Sequence, residues 1–307
     1  MADSIGVVQI KAFSDLVIER AQQKESLTRP WCEVKTGVTG ESVSFDRIGL
    51  VEMVPKASRN APTPDADPNH ERRWAQLAAF HSGIFIDPTD LPTLGYDPTS
   101  KYVTSLSNAM GRQWDRWILT AALATAITGR IGEAGASGTG ATGTETWPIT
   151  DRIGVSHQIA AAASGVTPAK LRQAKRILDT IMVGRDRVIF IDAFAIQQML
   201  SQPEITSADY NTVRALVNGE IDSWLGMKWE MVDPTLMTYT GTLGASPTMS
   251  AVIMERGAIG LAVGLEQNID VLTRTDRSNS KQAYASMMGG AVRRDGERIV
   301  ELQYVAS

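Results

Sequence analysis

The sequence is poor in the residues that build disulfides, metal sites and membrane spans. It has one cysteine and three histidines in 307 residues. A single cysteine cannot form an intramolecular disulfide, so packing or assembly must stabilise the chain. The most apolar window, 117–127, is too short to span a bilayer, and charged residues interrupt positions 1–20, where a secretory signal would lie. We therefore expect a soluble intracellular protein without membrane contact.

The chain also lacks an excess of basic charge. It has 30 lysines and arginines against 34 acidic residues, which gives a formal net charge of −4. A dedicated duplex-DNA-binding protein needs a clustered basic face, so this class is excluded. Apolar residues make up 43% of the chain and charged residues 21%, as in ordinary soluble proteins. The length suits one large domain or two modest ones.

Motifs that carry chemistry are incomplete. Residues 138–143 have the spacing of a dinucleotide-binding glycine loop, but they follow a predicted helix and lead into Thr-Trp-Pro, where that loop must follow a strand and open a helix. Asp65, Asp67 and Asn69 mimic the start of a calcium loop, yet the glycine and the terminal glutamate of that loop are missing. A flexible loop and solvated carboxylates explain both stretches.

The histidines and the cysteine are isolated as well. His70, His81 and His157 have no zinc-binding spacing around them, and Cys32 follows Trp31 without an evident histidine partner. We expect no catalytic residue, no cofactor and no metal site, and therefore no enzyme.

What the chain does contain is a long hairpin pattern over residues 41–87. Val43 and Phe45 alternate with polar residues, and we expect this strand to pass a bulge at Gly49 and reach Val54. A polar, proline-rich tip covers residues 55–68, and residues 74–86 have the pattern of one returning strand. A lone two-stranded hairpin is marginal in water. This arm must therefore lie on its own domain or on a neighbouring subunit.

Helices are predicted on both sides of the arm. Residues 5–24 carry a helical apolar stripe. A long helix begins at Asp97-Pro98, which supplies an N-cap and a first-turn proline, and ends at Gly129. At about 1.5 Å per residue, this helix is about 45 Å long and is shaped like a spine.

The middle and the end of the chain alternate between helix and strand patterns. A helix capped by Thr167-Pro168 ends at Gly184, and the strand 188–191 leads to a helix that ends at Leu200. The stretch 207–229 reads as a capped helix, a left-handed stop and a strand. Strands follow at 227–232 and 249–254. The last period-two segments, 269–273, 281–292 and 299–305, describe a closing antiparallel sheet. The whole is an α+β protein.

Four stretches of the sequence resemble the major capsid proteins of tailed bacteriophages. They are GESVSFDRIG (40–49), TSADYNTVRALVNGEIDSWLGMKW (206–229), GAIGLAVG (257–264) and KQAYASMMGGAVRRDGERIVEL (281–302). The order of elements is also similar to that family, and the resemblance extends from about residue 5 to 305. It implies the Hong Kong 97-like capsid fold, an α+β fold with an N-arm, an E-loop hairpin, a spine helix, and peripheral and axial domains.

The resemblance divides the chain into parts. It implies an N-arm at 1–40, an E-loop at 41–87, a peripheral domain at 88–164 and 266–307 with the spine helix at 98–129, and an axial domain at 165–265. It also implies assembly residues on the arms and structural residues in the axial domain. The expected inter-subunit residues are Phe13, Leu16, Phe45, Arg47, Arg72, Arg73, Trp74 and Phe80. The expected axial-domain residues are Tyr210, Asn218, Gly219, Trp224 and Trp229.

The implied function is structural. Chains of this family form pentamers and hexamers of themselves, build an icosahedral head around double-stranded DNA, and use a portal, a scaffold and, where one exists, a decoration protein. The resemblance implies no sequence-specific DNA binding, assembly in the host bacterial cytoplasm, and a final location in the virion. The acidic charge agrees, because a shell that encloses DNA without adhering to it needs no basic groove.

Two departures from some family members refine these expectations. About 40 residues precede the arm, so we expect scaffolding to come from a separate protein. Lys56 and Asn60 lie near the arm tip, but no local motif supports covalent cross-linking, so we expect a non-covalent shell.

Two other readings stay open at this point. One is an encapsulin-like compartment that holds a cargo protein. The other is an α/β enzyme that uses a nucleotide and Asp192 at a strand end, although a helix N-cap explains Asp192 better.

Overall fold

The computed structural model describes most of the chain after the N-terminal segment. The described residues are 23–65, 68, 70–88, 99–128, 157–182, 184–202, 223–242 and 246–306. Within them lie the helices α1 (Thr99–Leu123), α2 (Pro168–Thr180) and α3 (Ala193–Leu200). The strands are β1 (Glu33–Lys35), β2 (Ser42–Ile48), β3 (His70–Gln76), β4 (Ala78–Ile86), β5 (Ile127–Thr128), β6 (Gln158–Ile159), β7 (Arg187–Ile191), β8 (Ser223–Trp224), β9 (Met227–Met231), β10 (Thr238–Thr240), β11 (Thr248–Glu255), β12 (Ile259–Arg274), β13 (Ser280–Arg293) and β14 (Ile299–Val305).

These strands form three sheets, and the predicted α+β class is confirmed. A four-stranded sheet has the order β1-β12-β13-β4, and a three-stranded sheet has the order β2-β3-β5. The third sheet has the order β6-β14-β11-β7-β9-β8, with β10 paired to β11. Most pairings are antiparallel, but three are parallel: β1 with β12, β6 with β14, and β7 with β9.

Helix α1 lies on the four-stranded sheet, and its apolar stripe forms part of the core. Leu106, Met110, Trp114 and Ile118 are buried on this face, as their helical spacing predicts. The Trp117 ring meets the Phe80 ring of β4 edge-on, with centroids 5.2 Å apart, and the Trp114 ring lies against Gly289 of β13. The helix therefore packs on the sheet through large aromatic surfaces.

The predicted end of the long helix at Gly129 is wrong. The helix has 25 residues and ends at Leu123, which makes it about 37 Å long. Beyond it, β5 pairs with Arg73 and Trp74 of β3. The helix stops early because its terminal carbonyls are bonded by a buried arginine, Arg293, and the chain then joins the sheet of the arm. Its predicted N-terminal cap at residues 97–98 lies outside the described residues.

The arm is shorter than the sequence predicts. Strand β2 ends at Ile48, so the predicted passage of this strand through a bulge at Gly49 to Val54 is wrong. Residue Ser42 pairs with Gln76 and Ile48 pairs with His70, which gives a seven-residue antiparallel ladder. Within the described part of the arm, the ladder between β2 and β3 ends at Ile48. The apolar residues that follow, Leu50, Val51, Met53 and Val54, are therefore exposed.

The prediction of one returning strand over 74–86 is also wrong. Strand β3 pairs with β2, whereas β4 pairs with β13 in a different sheet. At the junction, the Leu77 N–H donates to the carbonyl of Glu41 over 2.8 Å. A Cβ at Gly290 would lie 1.8 Å from the carbonyl oxygen of Gln76, so β13 passes directly against this kink. Because β4 pairs with β13, a segment distant in sequence, the predicted strand 74–86 is divided into β3 and β4.

The seven-stranded sheet follows the local sequence signals more closely. Thr167 caps α2 by accepting from Lys170 N–H, and Asp192 caps α3 by accepting from Ala195 N–H over 2.9 Å. Every residue of β7 is buried. Helix α2 ends at Thr180, four residues before the predicted stop. These two capping predictions are confirmed, because a cap depends on neighbouring residues only.

The predicted single closing sheet at the end of the chain is wrong. Strands β12 and β13 form one long antiparallel pair, but β14 joins β11 and β6 in the seven-stranded sheet. Lys170 reinforces this second placement. Its buried Nζ donates to the carbonyls of Ala161, Gly165 and Gln303, the last of them on β14. Burial lowers the pKa of Lys170 below its ordinary value.

Several predictions fall outside the described residues. These are the N-terminal helix with Phe13 and Leu16, the glycine-rich stretch 132–143, and the helix with Tyr210, Asn218 and Gly219. The division into N-arm, E-loop, peripheral and axial domains stays a prediction. Among the described helices, none is long and apolar enough to cross a membrane.

The close packing of α1 on β13 predicts a strict requirement for glycine at position 289. A Cβ there would lie 2.6 Å from the fully buried Trp114 ring and 3.0 Å from the carbonyl oxygen of Ala262. We expect Gly289→Ala to reduce the free energy of unfolding by about 1–3 kcal/mol through overpacking. Chemical denaturation measures this change.

Gly264→Ala is the matched control on the neighbouring strand. Its Cβ would make ordinary contacts of 3.4–3.5 Å with Val38 and Met288. We expect a change within about 0.5 kcal/mol. Equal denaturation midpoints for the two variants would contradict the packing argument.

Candidate assembly surface

The described residues hold no arrangement typical of an active site. No group of three or more His, Cys, Asp or Glu side chains in this part of the chain could bind a metal ion. Burial raises the pKa of the Cys32 thiol far above its ordinary value, with Asp115 acting in the same direction. Asp192 accepts from the Tyr304 hydroxyl over 2.6 Å and from the N-terminus of α3. The chemistry of these groups is that of a packed core.

Among the described residues, the largest exposed apolar segment is residues 48–54, which we call the arm tip; it directly precedes the polar, proline-rich stretch of residues 55–68. Leu50 is 99% exposed and Met53 is 95% exposed. Ile48, Val51 and Val54 are also exposed, so five apolar side chains lie within seven residues. Scattered exposed apolar residues are normal, but a contiguous group of this kind marks an interaction surface. The tip has the chemistry of a segment that is covered by another surface.

The arm root, where β2 and β3 meet the four-stranded sheet, is fixed within the chain. The Phe45 ring is 1% exposed and packs on Gly260, where a Cβ would lie 2.6 Å from the ring. Arg47 donates to Glu71 over 2.6 Å and to Asp295 over 2.7 Å. The hydrogen bond from Arg72 to Asp46 lowers the pKa of Asp46 below its usual range. The root is rigid, and the tip projects from it.

A second exposed surface is the distal ribbon, which we define as residues 265–286 of β12 and β13 together with β4. The strands β12 and β4 are exposed along most of this ribbon. Phe80 is 43% exposed although its ring also meets Trp117 at 5.2 Å. Other exposed apolar side chains on the ribbon are Phe85, Leu265, Val271 and Leu272. Exposed apolar side chains along a sheet segment of this kind are typical of an interaction surface.

Residues 23–32, which lie within the predicted N-arm and which we call the N-arm root, are tied to α1 by one buried carboxylate. Asp115 accepts hydrogen bonds from the side chains of Gln23 and Ser26 and from the backbone N–H of Leu27. It also accepts from both the N–H and the hydroxyl of Thr28, over 3.1 and 2.7 Å. Five donors on one carboxylate fix the position of residues 23–28 against α1.

Trp31 extends this attachment to the seven-stranded sheet. The Trp31 carbonyl accepts from Gly257 N–H over 2.9 Å. The guanidinium of Arg256 lies 5.1 Å from the ring centroid and the ammonium of Lys228 lies 5.7 Å from it, which is within the range of cation–π contacts. The N-arm root therefore contacts the helix and two sheets.

The structure places the predicted assembly residues in different environments. Phe45, Arg47 and Arg73 are at the arm root, whereas Arg72, Trp74 and Phe80 have exposed or half-exposed side chains. The basic pair Arg293-Arg294 also has partners within the chain. Arg293 donates to the Ala122 carbonyl of α1, and Arg294 pairs with Glu33. An additional role for any of these residues between subunits stays a prediction.

The axial-domain residues are only partly described. Trp229 is buried on β9, as its place on a strand predicts, and Trp224 is half-buried beside it.

Prediction from the sequence missed Asp115 and the distal ribbon. A lone acidic residue on the apolar stripe of a helix was the signal for Asp115, because such a carboxylate has to be compensated when it is buried.

With this geometry in place, the comparisons with known proteins agree on one class. The sequence matches the family model for phage capsid protein over residues 8–306. The chain therefore belongs to the phage capsid protein family. No curated relative matches the sequence.

Solved capsid structures share the fold of the whole chain. The capsid of cyanophage P-SCSP1u has 17% identity and a TM-score of 0.71, with 100% of this chain and 96% of that chain covered. The capsid of a native GTA particle has 14% identity and a TM-score of 0.68, with 99% and 98% covered. The capsid of Ralstonia phage GP4 has 13% identity and a TM-score of 0.67, with 97% and 96% covered. The expected phage capsid fold is confirmed.

The Asp115 contacts predict that the N-arm root depends on this carboxylate. We expect Asp115→Ala to reduce the free energy of unfolding by about 2–4 kcal/mol, because buried donors lose their acceptor. The backbone amides of Leu27 and Thr28 should then exchange hydrogen faster, which exchange mass spectrometry measures on peptides that contain residues 23–32.

Arg116→Ala is the control, since Arg116 is the next residue on α1 and is exposed. It should leave both the stability and the exchange of this segment unchanged. If Asp115→Ala protects residues 23–32 as well as the native chain does, the proposed attachment is wrong.

Proposed function

We infer that the chain is a major capsid protein, which assembles with copies of itself into the shell of a phage virion. The observation that carries this function is the agreement of a family match over residues 8–306 with a capsid fold over the whole chain. The chain is a structural component of the virion. Neither an encapsulin-like compartment nor a nucleotide-using enzyme is favoured by any contact within the described residues.

Beyond this general role in the shell, we propose that the arm tip binds a neighbouring copy of the chain. Support comes from its composition and its position. Leu50 and Met53 make almost no contact with their own subunit, whereas the root that carries them is fixed by Phe45 and Arg47. A rigid root with an apolar tip delivers that tip to a surface outside the subunit. We propose the distal ribbon as a second inter-subunit surface, because Phe85, Val271 and Leu272 on it are exposed.

The other partners follow from the class of protein. A shell of this kind encloses double-stranded DNA, and the net charge of −4 supports enclosure without strong adhesion. We propose that pentamers and hexamers close an icosahedral shell with a separate scaffolding protein and a portal, and that assembly takes place in the cytoplasm of a host bacterium. Electron microscopy of shells from cells that express the chain with and without its neighbouring genes tests these partners.

The arm-tip contact predicts a defect in assembly without a defect in folding. In the double variant Leu50→Ser with Met53→Ser, both replaced side chains are exposed, so the free energy of unfolding of the subunit should change by less than about 0.5 kcal/mol. The shell should lose most of the apolar area that each tip buries, and the yield of closed shells should fall at least tenfold. Sedimentation and electron microscopy measure that yield.

Met182→Ser is the matched control, because Met182 is 91% exposed but lies at the end of α2, away from the arm. It should give native yields of shells. Native yields from the double variant would refute the proposed contact, and loss of folding would place the tip inside the subunit core.

A further inference from the structure

The outer edge of the distal ribbon is a strand with unpaired backbone groups. Strand β4 has nine residues and, among the described residues, a single neighbouring strand, β13. In an antiparallel pair, the N–H and C=O groups of every second residue point away from the partner strand. The far edge of β4 therefore presents a row of backbone donors and acceptors that no strand in the described part of the chain pairs.

The composition of β4 does not protect this edge. Native edge strands carry charged side chains or proline, which prevent pairing with other chains. Residues 78–86 (AAFHSGIFI) contain no lysine, arginine, aspartate, glutamate or proline, and most of them are exposed. The opposite edge of the same ribbon is protected, because β12 carries Glu266, Asp270 and Arg274. An unprotected edge beside a protected one indicates that β4 pairs with a further strand.

The arm tip has the complementary property. Its residues 49–54 follow β2 directly and belong to no strand, and their backbone groups have no backbone partner within the described residues. Four of these six residues are apolar, Glu52 is the only charged one, and Pro55 ends the segment. Six extended residues span about 20 Å and the nine residues of β4 span about 30 Å, so the tip fits the edge in length.

The tip and the β4 edge do not cover each other within one subunit. Leu50 and Met53 are 99% and 95% exposed, and residues 78–83 of β4 are exposed as well. The arm root holds β2 in place through Phe45, and the ladder with β13 holds β4 in place. The partner of each surface therefore comes from another copy of the chain.

We propose that residues 49–54 of one copy add as a strand to the free edge of β4 of a neighbouring copy. This inference rests on the proposed function, and it names the surface that the arm tip contacts. In strand addition, main-chain hydrogen bonds supply affinity and alternate side chains supply specificity. The added strand also covers the β4 edge, which prevents that edge from pairing with unrelated strands.

Hydrogen exchange of assembled shells, compared with unassembled subunits of the full chain, tests this pairing. Peptides that cover residues 49–54 and 78–86 should both exchange about tenfold more slowly in shells, because amides that meet solvent in the subunit become hydrogen-bonded. Slower exchange in the β4 peptide without slower exchange in the tip peptide would assign the edge to another strand, such as a second β4, and would overturn the proposal. Unchanged exchange in the β4 peptide would overturn it as well.

Proline variants separate strand pairing from simple burial of apolar side chains. The tip lies outside the ladders of the subunit, so Val51→Pro and Glu52→Pro should leave folding unchanged, which thermal unfolding measures. The N–H groups of successive strand residues point to opposite sides, so only one of the two prolines removes a hydrogen bond to β4. We expect the yield of closed shells to fall about tenfold for that variant and far less for the other, each relative to Val51→Ala or Glu52→Ala.

The outcomes of the proline test separate this inference from the proposed function. Native yields from both proline variants would overturn strand pairing and leave the arm-tip contact itself in place. Equal losses in both variants would assign the effect to stiffening of the tip and would also overturn the pairing. If the native chain forms no shells, the proposed function fails, and the pairing fails with it.

Discussion

Three glycines on the β12–β13 pair allow the other parts of the subunit to approach it closely. Gly260 accommodates the Phe45 ring of the arm, and Gly289 accommodates the Trp114 ring of α1. Gly290 lies against the backbone of the arm at Gln76. A methyl group at any of these positions would overlap a ring or a carbonyl oxygen. Because protein interiors are packed to the density of crystals, such overlap cannot be absorbed locally. The arm and the spine helix keep their places only because this surface has no side chains there.

Because of this constraint, the two parts of the arm differ in their contacts with the rest of the subunit. The root is held by close packing at Phe45 and by the ion pairs of Arg47, so its direction is set within the subunit. The tip has no such contacts, and its apolar side chains meet solvent. A rigid root lowers the entropy that the tip loses when it binds, since the approach direction is already fixed. Asp115 and Trp31 fix residues 23–32 by contacts within the subunit as well.

The sequence predicted those features that depend on neighbouring residues. The apolar stripe of α1 and the caps at Thr167 and Asp192 need only local spacing, and the structure has them. The errors fall where distant segments decide the outcome. The kink after Gln76 exists because β13 passes there, and α1 ends at Leu123 because Arg293 bonds its last carbonyls. Likewise, the arginines of the arm could be recognised as paired groups, but their partners could not be read from their spacing.

The size of the proposed tip contact has a consequence for assembly. Full burial of a leucine or methionine side chain contributes about 1.5–3 kcal/mol, so Leu50 and Met53 together would contribute about 3–6 kcal/mol per subunit. Part of this gain offsets the lost motion of the tip. A free energy of about 4 kcal/mol corresponds to a millimolar dissociation constant, so one tip alone cannot hold two subunits together. Such a contact breaks and reforms readily, which lets a misplaced subunit leave a growing shell. Stability then comes from several contacts per subunit made at once, and closure by symmetry removes the free edges from which subunits are lost.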